Sequence, residues 1–389
     1  MSAASLCERG AGIRERRKTR ILLCGPSRDA VSGVATHIDQ IFRSSIATKY
    51  SLCQFRVGSE GRREGPFRRF ARFVASPLAL AREILRWRPE IVHLNTSLVP
   101  RAYWRDLMYL VIAKSLGCKA VYQVHGGALP QEFLGRNVCA RRFLRWSLRI
   151  PDVIVLLAEI ERKAYEDFAL PTPIHVIPNA IHLDEYRTAT PKSFDEPRTI
   201  VGYTGRLALE KGIAEAIRAL AILRRAGIDT VLFRIAGSGP SQRELRELVH
   251  REGVSDAVEF LGPVFGDAKI RFWQGIDLFL FPTKHKEGLP YTILEALASA
   301  TPILTTRVGG IPDVIEDGVH GTLLSECDPA AIAGALRSLL ADRRRLRCMS
   351  GAALQRAREH YGIDRLAAQF DCLYQQMRVG HRADQRVAQ

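Results

Sequence analysis

Short apolar runs alternate with longer stretches of helical period along most of the chain. Arg20–Cys24 is apolar and runs into Gly25-Pro26-Ser27, the pattern of a buried strand followed by a loop. Glu90–Asn95, Ala120–Val124 and Val153–Leu157 predict further strands, with helices at Pro77–Trp87 and Tyr103–Leu116 between them. Ile174–Asn179 predicts a strand and a turn, and the polar, proline-bearing Thr188–Arg198 reads as a linker. The alternation then restarts. Strands are expected at Ile200–Tyr203, Val231–Ala236, Val258–Leu261, Leu278–Phe281 and Ile303–Thr305. Helices are expected at Gly212–Ala226, Gln242–Arg251, Ile270–Trp273, Tyr291–Ser299, Ala330–Leu340, Ser350–Glu359 and Ile363–Met377. Such alternation implies βαβ units and parallel sheets covered on both faces. The expected fold class is α/β, with two Rossmann-like, doubly wound domains facing across a cleft. Ligands of such sheets bind off the carboxyl ends of the strands.

The boundaries that follow are a loose basic tail at 1–18, a first domain at 19–187, a linker at 188–198 and a second domain at 199–362. A helix at 363–379 and a disordered tail at 380–389 end the chain.

Composition changes this picture in one respect. Of 389 residues 47% are hydrophobic and 25% charged, ordinary for a globular protein, but the formal net charge is +16. Residues 1–180 hold 29 Lys and Arg against 15 Asp and Glu, and the remainder 28 against 26. The excess therefore sits in the first half, which points to a polyanionic surface on that side: anionic lipid headgroups or nucleic acid. Arg62–Val74 places Phe67, Phe70, Phe73 and Val74 on one helical face with Arg68, Arg69 and Arg72 beside them. That is the pattern of a helix lying in a membrane interface. Arg136–Arg149 is a second basic-aromatic stretch. The apolar runs Val153–Ala158 and Leu107–Ala113 fall short of the ~18–20 residues of a membrane span. No apolar stretch suited to a secretory signal precedes Ile21. The eight cysteines form no Cys-x-x-Cys, which fits a reducing compartment without a structural metal. The expected location is cytoplasmic, peripheral on the cytosolic face of a membrane.

Candidate chemistry concentrates in the second domain. Glu287-Gly288-Leu289-Pro290 follows a strand and opens a helix, whose N-terminus is a ready phosphate site. Glu295 lies about a turn further in, where a carboxylate can accept from vicinal hydroxyls. Gly205-Arg206 to Lys211-Gly212 follows the strand at Ile200–Tyr203, and two cations there suit a diphosphate. Gly237-Ser-Gly239-Pro240 lacks the third glycine of a dinucleotide fingerprint and reads as a tight turn that lets a nucleotide approach the backbone. In the first domain His125 ends a strand and is followed by Gly126-Gly127. His93 and His175 sit within apolar strands and read as structural.

In this order these motifs resemble the GT-B glycosyltransferases of the retaining family 4 type, across roughly Thr19 to Tyr361. The resemblance implies that Arg206 and Lys211 stabilise the donor diphosphate, that Glu287 lies near the donor sugar and that Glu295 binds the ribose. Gly33 in Ser32-Gly33-Val34 is similar to the family's glycine loop, whose backbone approaches the donor. Gly205, Gly237, Gly239, Gly288 and Leu289 would complete the donor site, and His125 would lie near donor sugar and acceptor. Ala300 stands where the family commonly has glycine. There is no Asp-x-Asp, so neither a metal nor a cofactor is expected. The donor substrate would be a UDP- or GDP-sugar, and the basic first domain suggests a lipid-linked saccharide acceptor. A GT-B-fold nucleotide-sugar epimerase is the alternative. A nucleic-acid-binding protein would leave Arg206, Lys211, Glu287 and Glu295 unexplained, so no nucleic-acid partner is expected.

Overall fold

The computed structural model describes residues 17–58, 65–133, 135, 137–168 and 171–387. Residues 1–16 of the expected tail, Arg62, Arg63, Glu64 and Arg136 lie outside these.

Two parallel six-stranded sheets form the frame. The first holds β1 (Arg20–Gly25), β2 (Ser51–Arg56), β3 (Ile91–Leu98), β4 (Lys119–Gly127), β5 (Val153–Leu156) and β6 (Ile174–Val176), in the order β2-β1-β3-β4-β5-β6. The second holds β7 (Thr199–Thr204), β8 (Val231–Ala236), β9 (Val258–Gly262), β10 (Leu278–Phe281), β11 (Ile303–Thr306) and β12 (Gly321–Leu324), in the order β12-β11-β10-β7-β8-β9. Chain order reverses at β1/β3 and at β7/β10, and the crevices off these strand ends are where doubly wound sheets take ligands. The central strands are runs such as Leu278–Phe281, buried throughout, because helices cover both faces. One apolar cluster fills the second domain, and two fill the first, on the two sides of its sheet.

Several elements differ from the sequence expectation. β2 was not anticipated because Ser51–Arg56 is only half-buried and mixes Gln54 and Arg56 with apolar residues. Gly33 opens a helix, Gly33–Arg43, capped by Ser32, whose Oγ accepts from the Ala35 amide at 3.1 Å. The helix expected from Pro77 begins at Pro66 and runs through Pro77 to Trp87, held by the buried series Pro77, Leu80 and Ile84. The helix expected from Ser350 begins at Arg343, because Asp342 caps it through the Arg345 amide at 2.9 Å. The last helix spans Ile363–Val387, so the tail expected to be disordered from 380 is helical to Val387. Its Arg, Ala and Gln are good helix formers, and a single glycine, Gly380, costs only about 1 kcal/mol. Ala300 adopts φ 53°, the left-handed conformation that favours glycine.

The terminal helix belongs to the first domain's core. Leu366, Phe370, Leu373 and Tyr374 pack with Ile21, Val121 and Val153. Tyr50 donates its hydroxyl to Asp371 at 2.7 Å. The linker is itself packed down: the Lys192 amide donates to Ser350 Oγ at 2.9 Å, and the Arg343 guanidinium donates to the Glu196 carbonyl at 2.7 Å.

Candidate active site

The β7/β10 switch point brings two loops together. Gly212, at φ 73°, lies so close to the Pro282 carbonyl that no side chain fits between them. That approach sets Lys211, at the end of the first loop, beside Glu287 in the second. Lys211 Nζ and Glu287 Oε1 form an ion pair, both side chains largely buried, and Thr283 Oγ1 donates to the same oxygen at 3.1 Å. Arg206 is exposed at the end of β7 and makes no ion pair with any described residue. The site therefore holds one neutralised cation and one that is not. Gly288, Leu289 and Pro290 then lead into the helix Tyr291–Ala298, so a helix N-terminus follows directly on the Glu287 loop.

The glycines of the β8 turn pack against the neighbouring loop. Side chains at Gly237 and Gly239 would run into the carbonyls of Gly205 and Leu207. They hold the β8 loop against the β7 loop and so shape the crevice.

The first domain closes on this corner through backbone. Gly126, at φ 115°, pairs with Glu287 in an antiparallel bridge. A Cβ on Gly126 would lie 2.7 Å from the Gly288 amide nitrogen, and one on Gly288 2.6 Å from the His125 carbonyl oxygen. Asn179 Nδ2 donates to the Leu289 carbonyl at 2.7 Å, and Lys286 pairs with Glu132 across the cleft. Gly33 lies beside Tyr291, with room for a Cβ at 3.9 Å from its ring.

His125 sits at this junction. Asn95 donates its amide to the Cys24 carbonyl at 3.3 Å, which turns its Oδ1 toward His125 Nε2 at 2.9 Å. Nε2 therefore carries the proton, and Nδ1 keeps its lone pair. Burial, and then the neighbouring His37 and His93, hold the imidazole well below its ordinary pKa, so the ring is neutral.

Glu295 does not join the Lys211–Glu287 pair. It is buried, and its oxygens accept from Lys269 Nζ at 2.7 Å and Trp273 Nε1 at 3.3 Å. Sequence reasoning missed Asn95, His37 and Tyr291. The one available signal was polar residues at positions expected to be buried, such as His37 among Ala35, Ile38 and Ile41.

On the first domain's outer face, Phe67, Phe73 and Val74 are exposed, as are Leu78 and Leu85 further along the same helix. Arg72 is half-buried, and the side chains of Arg68, Arg69 and Phe70 lie outside the described residues. Trp104, Phe143 and Trp146 form an aromatic row, with ring centroids 5.6 and 5.3 Å apart, and both tryptophans are exposed. Among the described residues no helix is long and apolar enough to cross a membrane.

Two family models divide the chain between them. Residues 32–185 match the model described as Glycosyltransferase Family 4, and residues 187–356 match Glycosyl transferases group 1. The chain belongs to the group 1 glycosyltransferases. Its relatives include a glycogen synthase from Mycobacterium tuberculosis, 27% identical over 77% of this chain and 72% of that one. A 2-deoxystreptamine glucosyltransferase from Streptomyces kanamyceticus is 28% identical over 66% and 70%. Among solved structures, Alr3699/HepE of Anabaena in complex with UDP superposes with TM-score 0.73 at 16% identity, covering 92% of this chain and all of that one. A sucrose-phosphate synthase from Thermosynechococcus elongatus reaches 0.76 at 18% identity, covering 93% of this chain and all of that one. These likenesses establish the GT-B fold. In this glycosyltransferase the corner formed by Arg206, Lys211, Glu287 and the Tyr291 helix is the second domain's half of the cleft, and His125-Gly126 is the first domain's.

Proposed function

We propose that this glycosyltransferase moves a hexose from a UDP- or GDP-sugar to a lipid-linked saccharide, with retention at the anomeric carbon and without a divalent metal. The reaction would serve surface polysaccharide or glycolipid assembly at the cytosolic face of a membrane. The observation that carries this reading is Arg206, which forms no ion pair with a described residue, in the same loop as Lys211, whose partner Glu287 precedes a helix N-terminus and lies against the His125-Gly126 backbone.

The leaving group is a nucleoside diphosphate, and its developing charge needs fixed positive partners. Arg206 is free to fork onto phosphate oxygens, and Lys211 can exchange Glu287 for them. The bond from the anomeric carbon to the phosphate oxygen breaks as the acceptor oxygen bonds from the same face, and the acceptor proton passes to the departing phosphate. Glu287, beside the sugar, can accept a sugar hydroxyl once Lys211 turns to phosphate. No protein nucleophile is assigned. The retaining character of group 1 relatives supports the stereochemistry, and the UDP and UDP-glucose bound in Alr3699/HepE support the donor class. The exposed Phe67, Phe73, Val74 and Leu78 on a basic first domain support the membrane surface.

The test is thermal-shift binding of UDP, GDP and ADP with and without magnesium, followed by anomer analysis of the product. A shift with one diphosphate, independent of magnesium and lost in Lys211→Ala, is expected. No shift with any of them overturns the donor reading, and interconversion of the donor without an acceptor replaces transfer by epimerisation. Failure to sediment with anionic liposomes at low salt removes the membrane part.

A further inference from the structure

The helix Gly33–Arg43 carries a histidine on its buried face, which otherwise holds Ala35, Ile38, Gln40 and Ile41. His37 is wholly buried, among Ala35, Ile38 and Ile41. Its ring stands edge-on to His125 with centroids 4.7 Å apart, and edge-on to Phe370 of the terminal helix at 5.9 Å. Nδ1 lies 3.4 Å from the hydroxyl of Tyr291, a residue of the other domain at the start of the helix after Leu289. Nε2 makes no hydrogen bond, although the amides of Gln123 and Asn179 lie beside the ring. Burial holds the imidazole down to about 4, so it is neutral.

A buried imidazole is costly unless its nitrogens find partners, and Gln123 and Asn179 lie beside this one. What an apolar residue cannot do is bond to Tyr291. That contact joins the two domains, as does the close approach of Gly126 to Gly288. The same ring braces His125, whose far nitrogen is already fixed by Asn95.

We infer that His37 is a positioning residue, which uses its bond to Tyr291 to set the His125 ring when the two domains close. The inference rests on the donor-site reading above, because it assigns His125 to the reacting face of the cleft. The 3.4 Å separation is long for a hydrogen bond, as such contacts commonly are before substrate tightens the site. The bond would act on the closed, reacting state and not on nucleotide affinity, so its loss belongs in kcat.

The experiment is a double-mutant cycle of Tyr291→Phe and His37→Phe. Tyr291→Phe removes one oxygen and keeps the ring against Gly33, so folding is not at stake; melting temperatures check His37→Phe. The probe is nucleotide release from UDP-glucose or GDP-glucose, whichever the wild type turns over. Each single variant is expected to lower kcat on the order of tenfold, with KM for the donor within about twofold. The double variant is expected to be no slower than the slower single variant, because both changes remove one connection. A Tyr291→Phe enzyme with wild-type kcat overturns the inference, as does a double variant whose loss is the product of the two single losses. A wild type that neither binds nor turns over either nucleotide overturns the donor reading instead.

Discussion

Replacing Gly126 by alanine tests whether catalysis needs the cleft shut. The new Cβ would lie 2.7 Å from the Gly288 nitrogen and 3.2 Å from its Cα, where ordinary contact begins at 3.4 Å. Both obstacles are backbone, so the donor loop must retreat by roughly 0.7 Å or the cleft must open, since interiors tolerate little overlap. Retreat breaks the Gly126–Glu287 bridge, worth about 1 kcal/mol for each hydrogen bond, and loosens the exposed Lys286–Glu132 pair, worth at most about 1 kcal/mol. The closed state should therefore lose about 2–3 kcal/mol relative to the open one, or roughly 30- to 150-fold in kcat/KM. The strain of a side chain at φ 115°, about 1–2 kcal/mol, is shared by both states and lowers the melting temperature only modestly. The assay is nucleotide release at subsaturating donor, with thermal melting beside it. A variant within threefold of wild-type kcat/KM would refute the reasoning. So would a collapse of thermal stability, because the effect would then be on folding and not on closure.

Arg206→Ala should reduce turnover on the order of 10²–10³-fold while leaving the melting temperature unchanged, since Arg206 is exposed and makes no ion pair with described residues; steady-state kinetics and calorimetry on one preparation check both halves. Arg88 ends the helix Pro66–Trp87 at φ 51° and is exposed, so Arg88→Gly should stabilise the protein by about 1 kcal/mol, read by urea unfolding. Burial, with Asp313 nearby, pushes the Glu161 carboxyl up to about 7. Between about pH 4.5 and 7 the folded form therefore binds more protons than the unfolded one, and stability should fall as pH rises through that window. Glu161→Gln should flatten this dependence and exceed the wild type by roughly 2–3 kcal/mol above pH 7; equal pH profiles for the two proteins would contradict it.

Much of the frame was legible because buried strands such as Val231–Ala236 and Leu278–Phe281 are nearly pure apolar runs, bounded by glycine, proline or charge. β2 was not, since an edge strand half-buried on both faces carries no clean period. Lys211 and Glu287 could be nominated from their loops, but their pairing depends on Gly212 lying against Pro282, a contact between strand ends far apart in the chain. Glu295 was read correctly as helical, and its partners Lys269 and Trp273 lie on a neighbouring helix, a pairing that spacing along the chain does not reveal. His37 carried a visible anomaly, a histidine on a mostly apolar face, but its contact with the other domain's Tyr291 could not be read from the sequence.

The terminal helix has a consequence for how the molecule comes into being. Phe370, Leu373 and Tyr374 complete the core around Ile21, Val121 and Val153, although the whole second domain is made between them. A ribosome delivers the first domain's sheet early and the helix that covers it last. Domains generally fold as units as they emerge, but this one must wait, with an apolar patch uncovered, until its sister domain has been synthesised. The domain begun first is the one finished last, and a chain cut before Leu366 would lose the integrity of its N-terminal half.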